Sequence, residues 1–135
     1  MTAISTYKLL NIILIESRFK RQPNIHFDEE GYHNNIDINL ENQTSDNKIF
    51  ITLTVDFKAG VGEKEDIEAM AKMLGVFEFE EASQIPLKEF ANINGPAIIF
   101  PFIREHIASC SVKAGINPIL LPPINFVKLL KDKEK

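Results

Sequence analysis

The two side chains best placed for chemistry are His106 and Cys110. Four residues apart in a run of helical period, they share one face, the arrangement of a thiol nucleophile beside an imidazole base. The same stripe also carries Ile99, Phe102, Ile103, Ile107 and Ala114 at intervals of three or four. On such a stripe a cysteine packs as a small hydrophobe, and an i,i+4 helical pair supplies no oxyanion site, so packing rather than catalysis is expected. A second group, His26 and His33 with Asp28, Glu29 and Glu30, has metal-ligating residue types but no cysteine partner and no recognised ligand spacing, and reads as a solvated loop. Arg104 and Glu105 are neighbours on a helix and point in different directions, which suits a packing or intersubunit salt bridge better than recognition. No glycine-rich phosphate loop, GxSxG or paired-carboxylate setting occurs, so the expectation is no enzyme, no metal and no cofactor.

The remaining chemistry is that of apolar surface, and it centres on Asn94 to Phe126, which holds five of the seven prolines. The apolar stripe predicts a long helix closed by Gly115 as its C-terminal cap. Pro101 lacks an N–H, so the helix is expected to start near Phe100 or to bend there. From Ile116 to Phe126 three prolines in eleven residues force an extended course, yet Ile119, Leu120, Leu121 and Phe126 are too apolar for an ordinary solvated loop. Phe90, Ile93, Phe100, Ile119, Leu121 and Phe126 each suit a core, and as a group they suit the walls of a groove.

The elements that must position this stretch come before it. Residues 5–20 form a strand apolar on both sides, with Leu9, Ile13 and Ile15 alternating with Leu10, Ile12 and Leu14. Such a strand needs cover on both faces, and the second cover is expected from another subunit. Residues 21–34 read as a long crossover loop in which Ile25, Phe27 and Tyr32 are apolar exceptions. Two half-buried antiparallel strands follow, through Ile36 to Glu41 and Ile49 to Phe57, joined by a turn at 42–47. Over 64–74 the stripe Ile67, Met70, Ala71 and Leu74 reads as a helix. A short helical turn after Pro86, in 83–92, is closed by Asn94-Gly95, and Asn125 caps a last short helix, Phe126 to Lys131.

The totals describe one domain, 1–135, of ordinary globular composition, with 44% apolar and 25% charged residues. A net charge of −4 argues against non-specific nucleic-acid binding, and a single cysteine fits a reducing, cytoplasmic setting. The run LLNIILI is interrupted by Asn11 and lacks a cleavage site, and no stretch reaches the ~20 apolar residues of a membrane span, so no membrane insertion is expected.

In order and spacing, Pro96, Phe100-Pro101, Arg104-Glu105, Ile107, Ser109, Gly115, Pro118, Leu121, Pro123 and Asn125-Phe126 resemble the C-terminal half of the SecB family of bacterial export chaperones. The likeness extends more loosely over residues 5 to 130. It implies an α+β subunit with a four-stranded antiparallel sheet and helices on one face, and so a strand rather than a helix over 64–74. It further implies a homotetramer built as a dimer of dimers that holds unfolded polypeptides in apolar grooves without ATP. By resemblance, Ile25, Phe27, Ile116, Ile119, Leu121 and Phe126 belong to the groove and Ala69, Ala71 and Met73 to a subunit interface. Glu16 matches an acidic residue facing SecA, the motor to which preproteins are delivered for export. Lys20 and Met70 stand where acidic residues are usual, and the tail beyond Leu130 is short and lysine-rich, which puts SecA docking in doubt. A SecB-like chaperone of a toxin–antitoxin pair fits the same groove. A structural oligomerisation or interaction module with a folded partner is the alternative of a different class.

Overall fold

In the computed structural model of the chain, which describes residues 6–80 and 85–134, four long strands make one antiparallel sheet. They are β1 (Tyr7–Arg21), β2 (Tyr32–Ser45), β3 (Lys48–Val61) and β4 (Ile67–Phe79), in the spatial order β1-β4-β3-β2. Since β1 and β2 lie at opposite edges, residues 22–31 cross the full width of the sheet, as expected of the crossover loop. The alternation read in the sequence is explicit in β3, where Ile49, Ile51, Leu53, Val55, Phe57 and Ala59 are buried on one face. In register beside them, Leu53 pairs with Met73 and Val55 with Ala71 of β4.

That face is covered by one helical stretch in three parts: α1 (Leu87–Glu89), a π-helical turn (Phe90–Asn94) and α2 (Gly95–Lys113). Ile99, Ile103 and Ile107 of α2 point into the core and are essentially inaccessible. Gly75 lets α2 lie close on β4, because a Cβ there would stand 2.7 Å from Cδ1 of Ile99. The helix α3 (Phe126–Lys133) is capped by Asn125, whose Oδ1 accepts the Lys128 N–H at 3.0 Å, and Phe126 packs edge-on to Phe100. The architecture is therefore α+β, with helices on one side of a four-stranded antiparallel sheet.

The strand that the resemblance implies over 64–74 is present from Ile67, where pairing with both β1 and β3 overrides the helical propensity of its residues. Three local expectations are corrected. The turn expected over 42–47 shrinks to Asp46 and Asn47, with Asp46 at φ 54°, so Asn42 to Ser45 extend the β2 ladder. Neither Asn94-Gly95 nor Pro101 interrupts the helix; α2 begins at Gly95 with Pro96 in its first turn, and Pro101 lies inside it. Pro101 and Ala97, whose carbonyl it cannot bond, are both exposed, so water can take the place of the missing N–H. The short helical turn does follow Pro86, while Ser83 and Gln84 of that expectation lie outside the described residues.

Ala69, Ala71 and Met73 do face one way, but toward the helices, where each is buried within its own chain. They offer no free surface for a partner in this subunit. The strand β1 differs. Its register breaks between Leu9 and Asn11 and between Leu14 and Glu16, and Leu9 and Leu14 lie opposite Phe77 and Met73 on the helix-bearing face, while Ile13 lies opposite Leu74 on the other. Leu9, Leu10, Ile13, Leu14 and Ile15 are all between 38 and 51% exposed. Both faces of an edge strand are thus apolar and open.

Candidate functional site

The extended run after α2 is held in place by short-range bonds that the sequence dictates. Gly115 takes φ +75°, and the Gly115 N–H bonds Val112 O while the Ile116 N–H bonds Ser111 O, the paired bonds of a Schellman cap. Ser111, fully buried, donates its hydroxyl to Ile107 O at 2.8 Å and accepts the Ile119 N–H at 3.2 Å. The chain is thereby turned back along the helix, and the prolines at 118, 122 and 123 keep it extended.

Between this segment and the crossover loop lies a cavity of about 340 Å³. Phe27 forms one wall, Ile116, Ile119 and Leu120 the other, and Phe57, Ala59 and Ile67 the floor. The Phe27 ring leans on Tyr32 at 5.6 Å between centroids, and both are rim residues of the same space. Phe27 is about half exposed and Leu120 is 69% exposed, so the walls are wet in the free chain. Tyr32, Asn34 and Asn117 supply the polar lining, and no Lys, Arg, Asp, Glu or His lines the cavity among the described residues. Burial, helped by the negative Asp66, holds the Tyr32 phenol above its ordinary 10.0 and therefore neutral. An uncharged concave surface of this kind binds by removing apolar area from water, at about 25 cal/mol per Å².

Of the residues expected in the groove, Phe27, Ile116 and Ile119 come together here. Ile25 is half buried against the core behind the same loop. Leu121 and Phe126 are core residues, 1% and 5% exposed, and lie outside the lining of this cavity. Leu121 packs inward, whereas Leu120, absent from the sequence-based groove set, faces out. Asn34 and Asn117 carry no signal that would have marked them.

The other chemical candidates have local explanations. His106 Nε2 lies 3.6 Å from Cys110 Sγ and 2.7 Å from Ser17 Oγ of β1, so the pair serves the contact between helix and strand. His33 Nδ1 is 3.0 Å from the carbonyl of Gly31 in its own loop, and no three metal-ligating side chains converge among the described residues. A larger depression, about 550 Å³, opens on the helix-free face around Met70, where Arg18, Lys20 and Lys58 are interleaved with Asp56 and Glu68. Its charges are mixed, and it favours no single ligand sign. Glu16 is on that face as well, exposed and ion-paired with Arg18 at 3.2 Å. No helix among the described residues is long and apolar enough to cross a membrane.

Comparison with known proteins agrees with this geometry. The family described as preprotein translocase subunit SecB matches residues 18–135. The chain is 32% identical over 106 residues to the uncharacterized protein MJ0357 of Methanocaldococcus jannaschii, covering 75% of this chain and 66% of that protein. It is 28% identical over 114 residues to the protein-export protein SecB of Azoarcus sp. strain BH72, covering 83% and 76%. Among solved structures, the Mycobacterium tuberculosis SecB-like chaperone Rv1957, in complex with a ChAD peptide from the HigA1 antitoxin, superposes with a TM-score of 0.74 at 12% identity over 89% of this chain and 91% of that one. At that identity the superposition speaks for the fold. The family match over residues 18–135 carries the conclusion that the chain belongs to the SecB family.

Proposed function

We propose that the chain is an ATP-independent chaperone that holds non-native polypeptides in the groove between its crossover loop and the extended segment after α2. The single observation behind this reading is the wet apolar cavity walled by Phe27, Ile119 and Leu120 in a chain with SecB family membership. Side chains of an extended client enter such a groove without their sequence being read, and apolar burial supplies the affinity. The clients named in the family's description are preproteins, so delivery to the Sec pathway in the cytoplasm, through SecA, is the first assignment.

The exposed apolar β1 supports assembly. An edge strand with open hydrogen-bonding groups and five exposed large apolar side chains is a liability unless covered, and a second copy presenting the same strand is the cover that self-complementarity favours. A homotetramer formed as a dimer of dimers then places several grooves along one client and adds avidity.

A second reading has its own support. The outer face, where SecA docking would require acidity, is of mixed charge, with Arg18, Lys20 and Lys58 beside Asp56 and Glu68 around Met70. The Rv1957 structure contains a peptide from an antitoxin, so a dedicated antitoxin client fits this groove without SecA. Titration by calorimetry with a permanently unfolded, unrelated polypeptide tests the chaperone reading. Saturable binding supports it, and binding only to one folded protein would replace it with an interaction module. Addition of purified SecA to the loaded complex then separates the two chaperone readings.

A further inference from the structure

The two walls of the groove come from segments far apart in sequence, and one side chain spans them. Arg21, the last residue of β1, pairs with Ile67 at the start of β4, and Ile67 forms part of the groove floor. Its guanidinium donates through Nε to Gln22 O at 3.0 Å and through Nη2 to Pro23 O at 3.1 Å, both in the crossover loop. Through Nη1 it donates to Ala114 O at 2.8 Å, the carbonyl at the C-terminal end of α2 from which the other wall departs. The Schellman cap leaves that carbonyl directed at the cation, and the negative end of the helix dipole strengthens the bond. The root of the crossover loop is also tied to the sheet, since the Gln22 N–H bonds Asp66 O at 2.8 Å.

We infer that Arg21 is a positioning residue that fixes the width of the client groove by joining the crossover loop to the C-terminus of α2. The inference rests on the chaperone reading for its functional consequence, and on the three hydrogen bonds alone for its structural one. Planarity is what suits arginine to this role. A rigid fork aims three N–H groups at three carbonyls in fixed directions, whereas a lysine ammonium is a single point that satisfies one wall at a time. With the clamp in place the walls are organised before the client arrives, and less ordering cost is charged against binding.

The test compares the full-length wild type with Arg21→Met, which keeps the aliphatic stem, and Arg21→Lys. Three quantities are read: affinity for a permanently unfolded polypeptide, amide hydrogen exchange at 22–27 and 115–120, and thermal midpoint with oligomeric mass. Arg21→Met is expected to weaken client affinity about tenfold and to speed exchange in both segments together. Protection of β3 and β4 and the oligomeric mass should stay as in wild type, and Arg21→Lys should fall between the two. Unchanged exchange in Arg21→Met, or loosening of only one wall, overturns the clamp. Loosening of both walls with affinity within twofold of wild type leaves the contact but overturns its role in binding. A wild type that binds no unfolded chain removes the chaperone reading, while the exchange data still decide whether Arg21 joins the walls. Should Arg21→Met fail to fold, the coupling between segments 22–27 and 115–120 is read instead from Arg21→Lys by the same exchange and affinity measurements.

Discussion

The strands β3 and β1 are both rich in branched apolar residues, yet they end in opposite environments. In β3 every second side chain from Ile49 to Ala59 is buried on the helix-bearing face and the opposite face is largely polar, as Thr52, Thr54 and Asp56 show. In β1 apolar residues occupy both faces and stay open at an edge. The difference separates residues that make the subunit fold from residues that wait for something outside it. The groove belongs with the second set, since Phe27 and Leu120 are exposed although each is as apolar as the core.

Disrupting the closed region gives the largest effect. Ile103→Ala removes a fully buried side chain between α2 and the sheet and is expected to lower stability by about 2–5 kcal/mol in denaturant titration. Gly75→Ala tests the same interface by overfilling it, because the added Cβ would stand 2.7 Å from Cδ1 of the fully buried Ile99, and a loss of about 1–3 kcal/mol is expected from thermal unfolding. Phe27→Ala addresses the open region: client affinity should fall by roughly tenfold, with stability changed by no more than about 0.5 kcal/mol. If Phe27→Ala instead unfolds the chain, the division between the two regions is wrong.

The smallest effect is at Tyr32. Its hydroxyl is buried without a hydrogen-bond partner among the described residues, and its pKa is raised above 10.0, chiefly by burial and then by Asp66. An acid whose folded pKa is raised ionises first in the unfolded chain, so its contribution is intact below pH 10.0 and is lost as pH climbs through the folded value. Tyr32→Phe should leave neutral-pH stability unchanged or slightly higher and should flatten the alkaline decline. A stability loss at neutral pH would instead reveal a hydrogen bond made by that hydroxyl.

The closed region was the legible one, because its signals are local. Alternation marks β3, Gly115 marks the end of α2 and Asn125 marks the start of α3 without reference to anything distant. Where the signal depended on neighbours, the local pattern was not enough. Ile67 to Leu74 carry a helical stripe that pairing with two strands overrides, so the strand there was readable only through the family resemblance, and Pro101 is tolerated in α2 because it faces water. The groove was half legible for the same reason. The sequence marks 116–126 as apolar and extended, but which of Ile119, Leu120 and Leu121 faces outward is set by the Ser111 bond to Ile119 and by packing on the core. Arg21 has no local signature at all, since its partners are a loop next to it and a helix end 93 residues away.

Hydrogen exchange of the free protein, followed by addition of a permanently unfolded polypeptide, tests the division most directly. The account predicts that the β1 amides directed away from β4 are already protected in the free protein, because a second copy covers that edge. Segments 22–27 and 115–120, partly protected in the free protein by their own hydrogen bonds, should exchange more slowly still once the polypeptide is added. Unprotected β1 amides that gain protection only with the polypeptide, with both groove segments unaffected, would contradict it and move client binding from the groove to the β1 edge.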